Sequence, residues 1–193
     1  YLLNLQPSVV TTSDAGNGVG YTGIRIRGSD GSRINTTING IALNDAESQI
    51  SFFVDVPDLL SSVDNIQIQR GVGTSTNGSG AFGGSINIET TKLTVEPYAS
   101  YSSSAGSFST FKNTLNLGSG LLANAYSFDV RLSKISSDGY IDRGASNLLA
   151  YYFSGGYYGK NSTLKFISFG GTEKTYQCWN GVPEAKLFGD SSQ

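Results

Sequence analysis

The sequence predicts a small mixed α/β domain that ends near residue 92 and is followed by long antiparallel β-strands. Two features of the 193 residues carry this prediction. Apolar and polar residues alternate over about four to six positions in the first part, and over longer stretches from about Val95 onward. The 25 glycines, 11 tyrosines and 10 phenylalanines are typical of a chain rich in strands and turns.

Short strands and one helix make up the predicted first domain. Residues 65–70 and 86–90 each alternate isoleucine with a polar residue, which is the period-2 pattern of a strand. The Asn39-Gly40 pair predicts a tight turn. Residues 57–63 predict a helix, because Pro57 suits its first turn.

The second part is predicted to contain longer strands with one apolar and one polar face. The candidates are residues 108–118, 123–135, 147–158 and 161–170. The clearest is 123–135, whose apolar face would carry Tyr126, Phe128, Val130 and Leu132, and whose polar face would carry Ser127, Asp129, Arg131 and Ser133. A strand of this kind separates an apolar environment from a polar one.

These strands have the length that a tilted strand needs to cross a bilayer, about ten residues. A soluble β-sandwich uses the same alternation and remains an alternative on this pattern alone. The connections favour a membrane barrel, because tight turns are expected at 118–120 and 159–161 on one side and a longer loop at 136–146 on the other. Tyrosines crowd near the predicted strand ends, as at an interface with lipid head groups: Tyr98, Tyr101, Tyr140 and Tyr158.

A glycine-rich segment at 71–84 joins two of the short strands, and phosphate binding is the first function to test for it. A dinucleotide motif beginning at Gly71 requires glycine where Thr76 stands. A phosphate-binding loop beginning at Gly73 requires lysine where Ser79 stands. Neither pattern fits, so a glycine-rich turn packed closely under another layer is the better interpretation.

Composition argues against most enzyme chemistry. Histidine is absent and Cys178 is the sole cysteine, so the sequence offers no serine-histidine or cysteine-histidine pair, no histidine-ligated zinc and no internal disulfide. The formal net charge of −2 does not indicate nucleic-acid binding. No apolar run is long enough for a transmembrane helix. We therefore expect no enzyme, no cofactor and no metal site.

Three motifs resemble the plug domain of TonB-dependent outer-membrane receptors, in that family's order. The first is LLNLQPSV at 2–9, similar to the plug's helix and its proline-containing exit. The second is IRIRGSDGSR at 24–33 followed by INGIALND at 38–45. The third is the arginine-glycine pair at 70–71, then GSGAFGG at 78–84 and INIET at 86–90.

The resemblance implies a plug domain at 1–92 and the first strands of a transmembrane β-barrel at 93–193. The intact barrel is expected to have about 22 strands, of which about five lie here. This sequence is therefore expected to be an internal part of a larger receptor, without its TonB-binding segment. Residues 136–143 and 170–184 look like those of receptors from Bacteroidetes-type bacteria.

The family's function is active import across the outer membrane. A scarce ligand such as a ferric siderophore, haem or cobalamin binds at the outer face, and TonB transmits energy from the inner membrane to the plug. The expected partners are TonB, the lipid bilayer, a small metal-chelate or cobalamin-like ligand and a surface lipoprotein. Nucleic acid is not expected.

The resemblance also assigns roles to individual residues. Arg27 and Arg70 are expected to pair with barrel glutamates in strands outside this sequence, the alternative being solvated arginines at strand ends. Four glycines are expected to pack in plug turns, namely Gly28, Gly71, Gly83 and Gly84. The weaker candidates for ligand contact are Ser29, Asp30, Ser32, Asn44, Asp45, Ser75, Asn77, Phe82, Tyr176 and Trp179.

Two other classes of function are weighed against transport. A secreted or surface adhesin would also be glycine-rich and aromatic, but a β-solenoid of that kind should repeat at a fixed period, and no repeat is visible. A carbohydrate-active enzyme would need two placed carboxylates, for which Asp129 and Glu173 are nominal candidates. A glycan importer is disfavoured because the segment before the glycine-rich turn lacks a lysine-aspartate-alanine lead-in.

Overall fold

A computed structural model describes residues 2–14, 20–73, 78, 80–90, 94–175, 182–187 and 189. Its strands form a two-stranded, a four-stranded and a five-stranded sheet. The predicted domain boundary near residue 92 lies outside the described residues. We call residues 2–90 the N-terminal unit and the five-stranded sheet the long sheet.

Two small sheets build the N-terminal unit. β1 (Val9–Ser13) pairs with β2 (Thr22–Ile26) as an antiparallel hairpin. The four-stranded sheet has the order β4-β3-β6-β5, and only its β3–β6 pair is parallel. Its strands are β3 (Ile34–Ile38), β4 (Ile41–Ala42), β5 (Asn65–Arg70) and β6 (Gly84–Glu89).

The helices of this unit are short 3-10 helices at Leu2–Leu5, Gly31–Arg33, Phe53–Asp55 and Leu59–Ser62. The helix predicted at 57–63 is therefore wrong in type and in length. Asp58 precedes the helical turn in a left-handed conformation with φ of 52°, so the chain enters at an angle that an α-helix beginning at Pro57 does not allow. In the described residues, the single α-helical turn is Glu184–Leu187, and no helix is long and apolar enough to cross a membrane.

An isoleucine-rich core holds the N-terminal unit together. The predicted alternation places Ile86 and Ile88 of β6 in this core, where each is 2% exposed, and Ile88 and Ile86 lie opposite Ile66 and Ile68 of β5. Phe169, from the long sheet, packs against the same core. The buried members are Val9, Ile26, Ile34, Ile38, Leu59, Ile86 and Ile88.

The long sheet is an open antiparallel meander in which each strand pairs with the next along the chain. β7 and β11 form its edges. The predicted strands are confirmed, and the last continues further than expected. The strands are β7 (Tyr98–Gly106), β8 (Thr110–Gly118), β9 (Tyr126–Ser137), β10 (Ser146–Tyr158) and β11 (Thr163–Thr175).

The connections of the long sheet differ from the prediction. The tight turn expected at 118–120 is a longer connection spanning 119–125, where Leu122 and Tyr126 form an additional β-bridge. The connection at 159–162 lies at the same end of the sheet as 119–125. The connections at 107–109 and 138–145 lie at the opposite end. Each end of the sheet therefore has one short and one longer connection, so loop length does not distinguish the two ends.

Gly84 is a position at which the fold has no room for a side chain. A Cβ atom there would lie 2.5 Å from the backbone oxygen of Gln69 and 3.1 Å from Cδ1 of Ile26, which belongs to the core. We predict that Gly84→Ala destabilises the N-terminal unit by about 2 kcal/mol through overpacking, measured by urea unfolding of the full-length protein. Gly80→Ala is the control, because nothing lies within 4 Å of its Cβ position. Equal stability of the two variants would contradict this packing.

Candidate functional site

The centre of the long sheet exposes many apolar side chains and buries several polar ones, the reverse of a sheet in a water-soluble protein. On β9, Phe128 and Leu132 are 44% and 48% exposed, whereas Arg131 and Ser133 are 4% and 3% exposed. On β10, Leu149 is exposed and Ser154 is buried, and the buried side of this strand also carries Leu148, Ala150 and Tyr152. The predicted division of β9 into two faces is confirmed, and the N-terminal unit contacts the polar one through the interactions described below.

Aromatic side chains join the strands on the exposed face. Phe153 of β10 contacts Phe128 of β9 and Phe166 of β11, with ring centroids 6.5 Å and 6.0 Å apart. Tyr126 and Tyr157 form a further pair at 5.2 Å. A contiguous apolar surface of this kind needs an apolar neighbour, because its exposure to water is unfavourable in free energy.

An ionic cluster joins the two parts of the chain on the buried face. Asp58 of the N-terminal unit accepts from Arg131 of β9 at 2.7 Å and from Lys112 of β8 at 2.9 Å. The side chains of Asp58 and Arg131 are 6% and 5% exposed. Ser61 donates to the same carboxylate at 2.6 Å, and Arg131 donates through Nε to Ser62 at 2.6 Å. We call these five residues the Asp58 cluster.

The environment of Asp58 favours its ionised form. Burial alone raises the pKa of this carboxyl, but hydrogen bonds from Ser133, Ser61 and Lys112 and the charge of Lys112 outweigh burial, and the pKa lies below its ordinary value. A buried carboxylate is stable only when such partners replace its water. The cluster therefore ties the N-terminal unit to two neighbouring strands through one acidic group.

A second polar contact lies where the N-terminal unit ends. Oγ1 of Thr90 and the hydroxyl of Tyr152, on β10, form a hydrogen bond at 2.8 Å. Asn39 holds Thr90 from the other side, donating to its hydroxyl at 2.7 Å and accepting from its backbone N–H at 3.0 Å. The Asn39-Gly40 turn, predicted only as a chain reversal, thus fixes the residue that contacts the long sheet.

The two arginines predicted to pair with barrel glutamates are exposed. Arg70 donates to the backbone oxygen of Pro7 at 3.1 Å, and Arg27, with φ of 51°, donates its backbone N–H to Ser8. In the described part of the chain, the ion pairs are those of Asp58. Pairing of Arg27 and Arg70 with glutamates outside this sequence stays a prediction.

The four predicted turn glycines differ in what requires glycine. A Cβ atom at Gly83 would lie 2.4 Å from Cβ of Ser29, and Gly84 is equally restricted. Gly71 has φ of 89° and lies against the Arg27 guanidinium. The prediction of close packing is wrong for Gly28, because nothing lies within 4 Å of its Cβ position. It requires glycine for its φ of 79° and not for close packing.

Several predicted ligand-contact residues have structural partners instead. Asn44 accepts from the backbone of Thr36 and donates to the carbonyls of Ile34 and Gln49. Asp45 accepts two backbone N–H groups and the hydroxyl of Ser48, which together lower its pKa. These two side chains hold their loop in shape, and contact of either with a ligand stays a prediction.

The remaining predicted contacts are divided between described and undescribed residues. Asp30 accepts hydrogen bonds from the backbone N–H and the hydroxyl of Ser32 at 3.1 Å and 2.6 Å. These bonds cap the Gly31–Arg33 helix and lower the pKa of the Asp30 carboxyl. Ser29 lies against Gly83, and Phe82 is 68% exposed. Four predicted contacts lie outside the described residues, namely Ser75, Asn77, Tyr176 and Trp179.

The two carboxylates considered for an enzyme lie far apart. Asp129 is level with Ile167 of β11 through the sheet register, whereas Glu173 lies further along that strand, about 20 Å away at the usual rise per residue. A glycosidase pair needs a separation below about 10 Å. The described residues contain no group of three or more histidine, cysteine, aspartate or glutamate side chains that would hold a metal ion.

Sequence reasoning missed the Asp58 cluster. Asp58 falls inside the predicted helix at 57–63, and Arg131 is one polar residue among several on its predicted strand. A usable signal was the presence of Lys112 and Arg131 on the polar faces of neighbouring predicted strands. Two cations on one buried face require an acidic partner.

Comparison with known proteins agrees with this architecture. Residues 1–85 match the TonB-dependent Receptor Plug Domain family. No curated protein matches the sequence. Among solved structures, the ferric citrate transporter FecA superposes with a TM-score of 0.75 at 20% identity, covering 98% of this chain and 30% of that one.

Two further structures share the fold at lower identity. The ferric yersiniabactin uptake receptor FyuA from Yersinia pestis has a TM-score of 0.70 at 16% identity, covering 92% of this chain and 29% of that one. The pyoverdine outer membrane receptor FpvA from Pseudomonas aeruginosa PAO1 has a TM-score of 0.64 at 16% identity, with 86% and 24% covered.

The buried ion pair of Asp58 and Arg131 should hold residues 57–64 against the long sheet. Asp58→Asn removes the charge that compensates buried Arg131, at a cost of about 3 kcal/mol. Hydrogen exchange of backbone amides in residues 57–64 of the full-length protein should then accelerate about a hundredfold. Asp64→Asn is the control, because Asp64 is exposed and forms no ion pair with the described residues. Unchanged exchange in Asp58→Asn would show that the cluster does not hold the joint.

The fold and the comparisons together describe this chain as similar to one part of larger receptors. The chain spans less than a third of each solved receptor named here. It shares the fold of part of these receptors, and its residues 1–85 match the plug domain of TonB-dependent receptors.

Proposed function

We propose that this chain is the plug domain and the first barrel strands of an outer-membrane receptor that imports a scarce ligand with energy transmitted by TonB. The observation that carries the proposal is the inverted long sheet. On β9, Phe128 and Leu132 are exposed, whereas Arg131 and Ser133 are buried. Lipid outside and a polar plug inside would satisfy both faces.

The open sheet supports a larger barrel. β7 and β11 each leave one edge of backbone N–H and C=O groups without a strand in the described residues. Such an edge costs several kcal/mol per group in lipid, so a membrane location requires further strands that close the sheet. A barrel of about 22 strands is of the size that encloses a plug. Closing strands would also supply the glutamates proposed to pair with Arg27 and Arg70.

The plug then occupies the barrel as a removable obstruction. In the closed state, the Asp58 cluster and the Thr90–Tyr152 hydrogen bond would hold it against the wall. Movement of the plug by TonB would need to break these contacts or leave residues 57–62 in place. Structures with the same fold include receptors for ferric yersiniabactin, pyoverdine and ferric citrate, which supports a metal chelate as the ligand. We also propose a Bacteroidetes-type bacterium as the source, on the resemblance of residues 136–143 and 170–184.

Cell fractionation combined with growth tests this function. We expect the full-length protein in the outer-membrane fraction, released only by detergent. A deletion strain should lose growth on one ferric chelate as sole iron source, and removal of TonB should cause the same loss. Recovery of the intact protein in the soluble fraction would contradict the receptor function and favour a secreted binding protein. Import that persists without TonB would contradict the energy source.

A further inference from the structure

The exposed face of the long sheet carries two lysines, Lys134 of β9 and Lys174 of β11. The alternation along both strands places them on the same face as Leu132, and both are exposed. In strands β7 to β11, all of which the structure describes, the acidic residues are Asp129 and Glu173, and they lie on the opposite face. The charge on the exposed face of these strands is therefore positive.

The strand register brings the two lysines close together. Lys134 pairs with Leu149 of β10, and Leu149 pairs with Thr172 of β11. Lys174 lies two residues further along β11. The spacing between strands and the rise along them place the two Cα atoms roughly 12 Å apart. Because lysine side chains are long and flexible, both ammonium groups can reach one anion that lies between them.

The lysines lie where the exposed face changes from apolar to polar. The rows of paired residues toward the connections 119–125 and 159–162 contain leucine, valine, phenylalanine and tyrosine, with alanine, glycine and Ser168 among them. The rows that hold the lysines also contain Ala105, Phe111 and Leu149, but most of their residues are polar, namely Ser103, Asn113, Ser136, Asn147 and Thr172. A change of this kind along a barrel wall marks the edge of its apolar band.

The apolar stretch beside the lysines has about the height of such a band. The aromatic pair of Tyr126 and Tyr157 lies at its other end. From Tyr126 to Lys134, β9 covers about 27 Å along the strand, which is about 20 Å of height at the tilt usual in membrane barrels. The apolar band of outer-membrane barrels is about 25 Å tall. The lysines therefore lie at the level of lipid head groups if the exposed face contacts lipid.

The two ammonium groups have no protein partner among the described residues. Neither Lys134 nor Lys174 forms an ion pair or a side-chain hydrogen bond with them. The next acidic residues after β9, Asp138 and Asp142, lie beyond the end of the strand in the connection 138–145, which also contains Arg143. The lysines thus leave uncompensated positive charge at the edge of an apolar surface. A molecule with apolar chains and a negative head group complements both features.

We propose that Lys134 and Lys174 bind the phosphate of an anionic lipid, whose acyl chains lie against the apolar rows next to them. A zwitterionic lipid would cover the same rows, but its head group offers no net charge to the two ammonium groups. The proposal rests on the proposed receptor function, since it requires the exposed face to lie in a membrane. It adds a lipid partner that import itself does not require.

Fluorescence quenching in vesicles tests the site at its own position. A fluorophore on Leu149→Cys, in the full-length Cys178→Ser protein, reports the lipid beside Lys134 in vesicles of equal parts phosphatidylglycerol and phosphatidylcholine. Bromine atoms on the acyl chains of one lipid or the other quench the fluorophore in proportion to the occupancy of the site by that lipid. We expect phosphatidylglycerol to be favoured about thirtyfold, because each lysine contributes about fivefold.

Lys134→Gln and Lys174→Gln should each reduce this preference about fivefold, and together they should abolish it. The matched control Lys165→Gln removes an exposed lysine of β11 that lies on the opposite face, and it should leave the preference unchanged. Equal quenching by the two lipids, an unchanged preference in the double variant, or an equal loss in Lys165→Gln would overturn the site. Loss of the preference on addition of inorganic phosphate at the concentration of the lipid would show a general anion site and would also overturn the proposal.

The outcomes separate the lipid site from the receptor function. Equal quenching in a protein that lies in the outer membrane and imports its ligand would overturn the lipid site and leave the receptor function standing. A preference of the expected size in a protein that imports nothing would leave the lipid site standing and overturn the receptor function.

Discussion

The burial of Arg131 is the interaction on which the arrangement of the two parts depends. An arginine in a strand cannot remain in an apolar interior without a partner, and its partner here is Asp58, 73 residues away along the chain. Because Lys112 binds the same carboxylate from the next strand, Asp58 defines one position of the N-terminal unit against the sheet. Replacement of both charges by apolar groups would remove the desolvation cost, and would also remove the directional contact that defines the docking position.

The polar inner face explains the composition of the whole sheet. Serine, threonine and arginine side chains occupy positions that a soluble sandwich would fill with valine or leucine. Such a face needs hydrogen-bonding neighbours, and the N-terminal unit provides Ser61, Ser62 and Thr90 for this purpose. Apolar side chains supplement them, because Phe169 packs against the isoleucine core of the unit and Leu148 and Ala150 are also buried. The outer face exposes apolar side chains such as Phe128, Leu132 and Leu149, which have no comparable requirement for hydrogen-bonding partners.

The strand positions and their two faces were predictable, because period-2 alternation in 108–170 assigns each residue to one of the two faces of its strand. The sequence did not reveal which face is covered, since alternation is the same in a soluble sandwich. The Asp58 pairings link residues 54 and 73 positions apart, and no local pattern records them. The helix at 57–63 failed because the left-handed backbone at Asp58 is a tertiary requirement. Asn44 and Asp45 were proposed for ligand contact, although their side chains stabilise their own loop.

The central claim is that the exposed face of the long sheet contacts lipid. Spin labels attached to Leu149→Cys, Leu164→Cys and, as the inward control, Ser154→Cys, in the full-length Cys178→Ser protein in bilayers, test it most directly. Collision rates with oxygen and with a water-soluble nickel chelate report the environment of each label. The account predicts high oxygen and low nickel accessibility at Leu149 and Leu164, and low accessibility to both reagents at Ser154. High nickel accessibility at Leu149 and Leu164 would place that face in water and contradict the account.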